Sequence, residues 1–307
     1  MEIEHPLMQV WLPAEGLKKH DFLLDQVLAL AALDLAVTSS PAGALASHAA
    51  PDYAGAAVEY YDRSIAAYGS EPSVTEENHL AMYCFAGLTP VIQIGLRLCL
   101  PSETGGRQSA LKSAKDLFEL MNGAVSVAKL SWHWLKAGAL PSVTAVLNQQ
   151  IQLDLLDDDT NAAIARLRSI NEHMHTSHHG KDIIGPSGSV GYTSYNEAIR
   201  HLEGIFAKDV DGSIRGLCMA WPSQAGDTFK WAVGQSEPFA LLLLMHWGVL
   251  LDRLGGQGAW WVGETGKDLV VELSDALQCQ EAKSPVTSTP EWQSGISWAR
   301  QQVGLSL

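Results

Sequence analysis

Three polar side chains lie in otherwise apolar or aromatic stretches, and they are the strongest candidates for chemistry in this sequence. Asp34 lies near the end of the run FLLDQVLALAALDLA, His133 lies between Trp132 and Trp134, and His246 follows a methionine. A carboxyl group buried without a partner keeps its proton, whereas a buried imidazole stays neutral. Such groups exchange hydrogen bonds or protons with an apolar substrate. We therefore predict Asp34, His133 and His246 as catalytic residues, with structural ion pairing of Asp34 as the alternative.

Large aromatic and sulfur-containing side chains accompany these polar residues. Core packing is the simpler interpretation of each side chain taken alone. Together they also suit the lining of a cavity, because such side chains offer apolar surface with an occasional polar tip. The predicted ligand-binding residues are Tyr83, Phe85, Met121, Trp132, Trp221, Phe239, Leu242, Met245 and Trp247.

A histidine tract is the most tempting candidate for a metal site, at His173, His175, His178 and His179. No acidic residue or cysteine completes a ligand set at suitable spacing, so we interpret the tract as solvent-exposed. The glycines of residues 255–258 follow a predicted helix rather than a strand, which argues against a dinucleotide-binding turn. We therefore predict neither a metal nor an organic cofactor.

Composition and charge restrict the partners of the chain. It has 307 residues, 47% of them hydrophobic, and a formal net charge of -14. Nucleic-acid binding depends on Lys and Arg that replace counterions, so direct nucleic-acid binding is not expected. The four cysteines form no C-x-x-C pair, and the acidic start Met1–His5 does not resemble a signal peptide. The apolar stretch Phe239–Leu251 is shorter than the roughly 20 residues of a membrane span. We expect a cytoplasmic protein without a membrane span.

Helical spacing dominates the sequence, and it predicts the elements that position these residues. We predict an all-α fold, a single domain over residues 1–307 in which ten or more helices surround a long central helix of about 30 residues. We also expect an internal hydrophobic pocket and a flexible loop at residues 176–191. The seam of the long helix is predicted at Leu111, Ala114, Phe118, Met121, Val125, Ala128, Trp132 and Leu135.

Further helices follow from apolar periodicity and from capping signals. Ser73 with Glu76, and Ser194 with Glu197, have the spacing of capping boxes, and Pro90 predicts a kink. The predicted ranges are about 22–36, 52–68, 73–98, 142–155, 160–174, 228–234, 237–254, 259–278 and 291–303, with one more helix from Ser194.

Five segments of the sequence form a recognisable order. They are an opening H-x-F-L helix with an L-A-L-A-A-L run, an N-x-x-A helix, a Trp-Pro pair, a long apolar helix and a Trp-Trp pair, at residues 20–36, 78–85, 221–222, 238–254 and 260–261. In this order they resemble the C-terminal ligand-binding domain of fungal zinc-cluster transcription factors of the sterol-uptake-control type. The resemblance implies a helical domain that self-associates, as a homodimer, and holds a hydrophobic ligand such as a sterol.

Two departures from this family change the expected function. The six-cysteine zinc cluster is missing from this sequence, and Asp34 stands where the family has histidine. We expect a stand-alone domain that binds a small apolar, terpenoid- or polyketide-like metabolite and catalyses a cofactor-free cyclisation, isomerisation or Diels–Alder-type cycloaddition. The alternative is a sterol- or lipid-sensing regulator without its DNA-binding module, which would be nuclear. A helical scaffold without a ligand is the third interpretation.

Overall fold

The computed structural model describes eight stretches of the chain, and they form an all-α protein. The stretches are residues 17–39, 52–71, 73–100, 109–137, 153–178, 189–211, 216–281 and 289–306. No strand occurs within these residues, so the predicted fold class is confirmed. The helices group into two compact units. The described residues of the first unit fall within 1–108, 119–149 and 258–263, and those of the second unit fall within 109–118, 150–257 and 264–307.

The first unit begins with three helices that pack through small side chains. Helix α1 packs against both α2 and α3. Ala29, Leu33, Ala57 and Ile92 are fully buried where these helices meet. Alanine at the contact allows a close approach of the helix axes, and the apolar side chains then exclude water. The helices are α1 (Asp21–Thr38), α2 (Tyr53–Gly69) and α3 (His79–Cys99).

Polar side chains also connect these helices. Asp25 of α1 is buried and forms a two-point ion pair with Arg63 of α2, in which Arg63 Nε donates to Asp25 Oδ2 at 3.2 Å. Gln26 donates from Nε2 to the carbonyl oxygen of Phe85 at 3.0 Å and to Thr89 Oγ1 at 2.9 Å. Buried polar groups need such partners, so these bonds fix the position of α1 along its neighbours.

The start of α3 differs from the predicted capping box. The side chain of Asn78 accepts from the backbone N–H of Thr75 at 2.7 Å, and Thr75 Oγ1 accepts from the N–H of Asn78 at 3.3 Å. This reciprocal pair is a capping box two residues later than the predicted pair of Ser73 and Glu76. Pro90 lies within α3 as predicted.

Helix α4 (Ala110–Ala137) spans 28 residues, close to the predicted length. Its residues 119–137 belong to the first unit, where Ala124, Val127 and Leu135 join the apolar cluster around Phe22. Towards the end of α4 the predicted seam no longer coincides with the buried face. Trp132 is 47% exposed, and Ser131 is buried instead. A straight helix has 3.6 residues per turn, so a repeat of 3.5 residues rotates by about 20° per heptad.

The second unit is built around an apolar helix, α8. Every residue of α8 from Phe239 to Leu251 is buried. Helices α9, α10 and α6 pack against it, and α5 packs against α6 and α10. The carboxylate of Glu272 in α9 accepts from the first backbone N–H groups of α4, at 2.5 Å for Ala110. The helices are α5 (Asp158–His178), α6 (Ser189–Asp211), α7 (Asp227–Gly234), α8 (Pro238–Gly256), α9 (Thr265–Glu281) and α10 (Pro290–Gln302).

Three elements predicted in this part of the chain have different boundaries in the structure. Helix α6 begins five residues before Ser194, and helices include residues 176–178 and 189–191 of the predicted loop. Residues 179–188 of that loop and most of the predicted 142–155 helix lie outside the described residues. The predicted 259–278 helix is divided into a 3₁₀ turn (Trp260–Val262) and α9. Gly263 separates them with a φ of 52°, which glycine adopts more readily than other residues.

Two helices meet the length and composition of a membrane span. They are α3, with 21 residues, and α8, with 19 residues, so α8 is longer than the apolar stretch recognised in the sequence. Both are mostly buried inside the protein. Core helices of globular proteins commonly satisfy the same criteria, so the two helices are weak evidence for a membrane location.

Helices α8 and α9 cross at two glycines, and the closeness of this crossing leads to a prediction. A Cβ atom at Gly266 would lie 2.5 Å from the carbonyl oxygen of Gly248 and 2.8 Å from the Cα of Asp252. These neighbours are backbone atoms and cannot rotate away, so Gly266→Ala should lower the free energy of unfolding by about 3 kcal/mol. Gly256→Ala, at the open end of α8, is the matched control and should change stability by less than about 1 kcal/mol. Urea denaturation measures both, and equal effects would contradict the close crossing.

Candidate functional site

The second unit holds a fully buried histidine at the contact between α8 and α10. The ring of His246 stacks on Trp298, with centroids 5.0 Å apart and an interplanar angle of 15°. Gly295 lies beside the ring edge, where an added Cβ would be 3.9 Å from His246 Cε1. The imidazole is therefore enclosed by an aromatic face and by a glycine that leaves room for its edge.

The hydrogen bonds of His246 determine its tautomer. Nδ1 lies 2.8 Å from the carbonyl oxygen of Leu242, which is an acceptor only, so Nδ1 carries the hydrogen. Nε2 then presents a lone pair, is buried and has no partner among the described residues. Burial lowers the pKa of His246 to about 4, the bond to Leu242 opposes this shift, and the positive charge of Arg166 adds to it. His246 is therefore a neutral hydrogen-bond acceptor.

Two hydrogen-bond donors on helices that pack in the same unit also lack partners. Nη1 of Arg166 in α5 and Nε1 of Trp292 in α10 are buried and unpartnered within the described part of the chain. Trp292 packs on Phe239 of α8, with centroids 6.1 Å apart, and it precedes Gly295 by three residues. Helices α5, α8 and α10 thus contribute two donors and one acceptor, which we call the polar triad of Arg166, His246 and Trp292.

A small groove lies between α5 and the start of α10. Its volume is about 130 Å³, and it is lined by Ser169, Ile170, His173, Thr289 and Glu291. The lining residues belong to α5 and to the start of α10, the helices that also carry Arg166 and Trp292. A cavity of about 150 Å³ holds a benzene molecule, so the groove suits a fragment of that size.

The predicted residues of the second unit divide between two faces of α8. Phe239, Leu242 and His246 belong to the site just described. Trp221 and Trp247 lie on the other face with Phe118, and Phe118 stacks on Trp247 at 5.8 Å. The Nε1 groups of Trp221 and Trp247 already donate to carbonyl oxygens, those of Ala198 at 3.0 Å and Cys218 at 2.8 Å. These two tryptophans and the fully buried Met245 therefore have a role in core packing.

The predicted catalytic residues of the first unit are not deeply buried. Asp34 is half-buried, and the buried acid of α1 is Asp25, which pairs with Arg63. The ion pairing expected of a buried carboxylate therefore occurs at Asp25, which lies on a different face of α1 from Asp34. His133 is exposed and lies against Trp134, with centroids 3.8 Å apart.

The predicted ligand-binding residues of the first unit have varied surroundings. Phe85 stacks on Tyr68 at 4.0 Å with an interplanar angle of 7°, inside the apolar cluster around Phe22. Tyr83 is partly buried, which raises the pKa of its phenol. Met121 is partly buried, and Trp132 is largely exposed. Within this unit, Phe85 alone of these four has the enclosed position expected of a pocket residue.

The histidine tract forms no metal-binding group within the described residues. His173 and His175 lie in α5, where His175 stacks on Tyr192 at 4.5 Å, and His178 is in the last turn of that helix. His179 lies outside the described residues. No group of three or more His, Cys, Asp or Glu side chains suitable for a metal ion occurs in the described ranges.

Sequence reasoning missed Arg166 and Trp292. A weak signal exists for Arg166, which falls on the apolar stripe of α5 between Ala163 and Ile170, where a charge is unexpected. Trp292 follows Thr289, whose Oγ1 accepts from its backbone N–H at 3.4 Å, so it lies in the first turn of α10. Nothing in the sequence distinguishes its indole from the paired indoles.

The buried imidazole leads to a prediction of pH-dependent stability. The pKa of His246 is about 4 in the folded protein and about 6.5 in the unfolded chain. The neutral ring therefore favours the folded state. This stability is fully present above pH 6.5 and declines as the pH falls towards 4, by about 3 kcal/mol in total. His246→Phe should remove this part of the pH dependence in urea denaturation. His173→Gln, exposed on α5, should retain it, and an unchanged profile in His246→Phe would refute the assignment.

Comparisons with models of known protein families, with curated proteins and with solved structures found no match. The resemblance to fungal ligand-binding domains therefore depends on the residues of this chain alone.

Proposed function

We propose that the second unit binds a small, largely apolar metabolite through an oxygen-containing group held by the polar triad. The observation that carries this proposal is the presence of three buried polar atoms without partners in an apolar helical core. An unpartnered buried donor or acceptor costs about 1–3 kcal/mol, so a ligand that supplies the missing partners gains that free energy on binding. The resemblance to domains that hold hydrophobic ligands supports the same function.

The surroundings of the triad favour an apolar ligand body. Phe239, Leu242 and Ile170 are apolar, and Trp298 covers one face of His246. Ligand sites commonly combine apolar walls with a few polar groups that fix the orientation of the ligand. The ligand that fits this pattern is a terpenoid- or polyketide-like molecule with one oxygenated end.

Catalysis is the second part of the proposal, and the two N–H donors favour it. Donors directed at a carbonyl oxygen stabilise negative charge that develops there, as they do in an oxyanion hole. Arg166 and Trp292 in this role would promote a cofactor-free isomerisation, cyclisation or cycloaddition of a bound carbonyl compound. A pericyclic isomerisation, cyclisation or cycloaddition needs no proton acceptor, so it does not require His246 as a base, whose pKa of about 4 makes it a weak base at neutral pH. A ligand sensor that does not turn its ligand over is the alternative.

Fragment binding tests the proposal directly. Acetophenone, 2-phenylethanol and phenylacetate carry different oxygen groups on a body of similar size, and ethylbenzene carries none. At least one oxygenated fragment should bind about tenfold or more tightly than ethylbenzene, with a shift of the Trp292 indole signal in ¹H–¹⁵N NMR spectra. Trp292→Phe identifies that signal.

Variants and a turnover assay complete this test. Arg166→Gln should weaken the best fragment by about 10- to 100-fold, because a charged hydrogen bond contributes about 1.5–3 kcal/mol. Arg200→Gln, exposed on α6, is the matched control. Equal binding of all four fragments would contradict the proposal. Catalysis is tested separately, by mass spectrometry of a terpenoid extract before and after incubation, and an unchanged extract favours the sensor.

A further inference from the structure

We infer that the oxygenated end of the ligand is a carboxylate with a neighbouring hydroxyl group, so that the polar triad recognises a small hydroxy acid. The inference rests on the proposed function, and it assigns a chemical class to the ligand of the same site. It follows from the charge of Arg166 and from the numbers of donors and acceptors in the triad.

Arg166 lacks the counter-charge that neighbouring arginines have. In the second unit, Arg168 pairs with Glu203 at 2.5 Å, and Arg253 pairs with Asp209 at 3.6 Å. No described acidic residue pairs with Arg166, although one of its terminal nitrogens is buried. Arg166 is partly buried, and its Nη1 is the buried atom without a partner. A guanidinium keeps its charge at all physiological pH values, so an anion supplies both the missing acceptor and a counter-charge. This favours an anion over a neutral acceptor.

A carboxylate matches the two donors. It accepts several hydrogen bonds through two oxygen atoms, and it forms a strong charge-assisted bond with a guanidinium. Arg166 binds one carboxylate oxygen, and the indole N–H of Trp292 donates to the carboxylate from α10. Both groups come from α5 and α10, the helices whose residues line the groove.

The remaining group of the triad requires a donor on the ligand. His246 Nε2 presents a lone pair, since its Nδ1 hydrogen is held by the carbonyl oxygen of Leu242. A lone pair directed at a carboxylate oxygen is repulsive, whereas a hydroxyl group donates to it. Two donors and one acceptor in the protein thus correspond to a carboxylate and a hydroxyl group in the ligand.

A series of four fragments tests this assignment with the full chain. The probes are mandelate, which has both groups, phenylacetate with the carboxylate alone, 2-phenylethanol with the hydroxyl alone, and ethylbenzene with neither. Mandelate should bind most tightly, at least tenfold more tightly than 2-phenylethanol, as measured by the Trp292 indole shift. Arg166→Gln should weaken mandelate and phenylacetate by tenfold or more and leave 2-phenylethanol unchanged. His246→Phe should weaken mandelate and 2-phenylethanol, which carry the hydroxyl group, and leave phenylacetate unchanged.

The outcomes separate this inference from the proposed function. If 2-phenylethanol or acetophenone binds as tightly as mandelate, the carboxylate assignment is wrong while the proposed function stands. If no oxygenated fragment binds better than ethylbenzene, both are wrong and ordered water fills the site. Arg166→Lys, which retains the charge, and melting curves of every variant exclude unfolding as the cause of lost binding.

Discussion

Helix α8 has no polar face, and the second unit must therefore cover it on every side. Its residues from Phe239 to Leu251 are all buried, so each polar atom among them needs a partner within the protein. The need to bury α8 on every side explains why the backbone of α9 approaches so closely at Gly248 and Gly266, since any gap would leave apolar surface in water. It also explains why Trp247 donates its indole hydrogen to the carbonyl oxygen of Cys218. The arrangement of the neighbouring helices follows from the burial of this one helix.

The polar triad differs from similar side chains of the same unit, which have hydrogen-bond partners. Trp221, Trp247 and Trp298 place their indole N–H groups 2.8–3.0 Å from an acceptor, the last on Asp159. Trp292 is as deeply buried and has the same donor without an acceptor. The same contrast holds for Arg166 beside Arg168, which has Glu203 as a partner. Equivalent groups are thus paired elsewhere in the same unit, whereas these groups have no partner among the described residues.

Much of the fold could be predicted from the sequence, because helix formation depends on local spacing. Periodicity predicts the long helix and the apolar α8, and the structure contains both. Local spacing does not predict details that depend on contacts between helices. A 3.5-residue repeat predicts that Trp132 lies on the buried face of α4, but Ser131 occupies that position. The division into two units depends on contacts between distant segments, which local spacing does not reveal.

The candidate site was only partly predictable, for a related reason. His246, Leu242 and Phe239 share one face of α8 and were recognised as polar and apolar neighbours in the sequence. Arg166 and Trp292 come from α5 and α10, and no local pattern reveals that their nitrogens lack partners. The sequence predicts Asp34 from its place in an apolar run, whereas burial depends on the helix that packs opposite, and that helix supplies Arg63 to Asp25. Local spacing thus locates candidate groups, and only tertiary packing shows which of them remain unpaired.

The protonation states of the triad determine what chemistry it supports. His246 is neutral over the physiological pH range, because its pKa of about 4 is lowered by burial and by Arg166. A general base is most effective when its pKa lies near the working pH, so His246 is poorly matched to proton abstraction. Arg166 and Trp292 cannot accept protons at all, but they donate hydrogen bonds from fixed positions in an environment of low polarity. Such donors are most effective on an oxygen that gains negative charge. The triad is therefore suited to holding an anion or to polarising a carbonyl group. Both roles require a permanent positive charge, and Arg166 supplies one that has no counter-ion among the described residues.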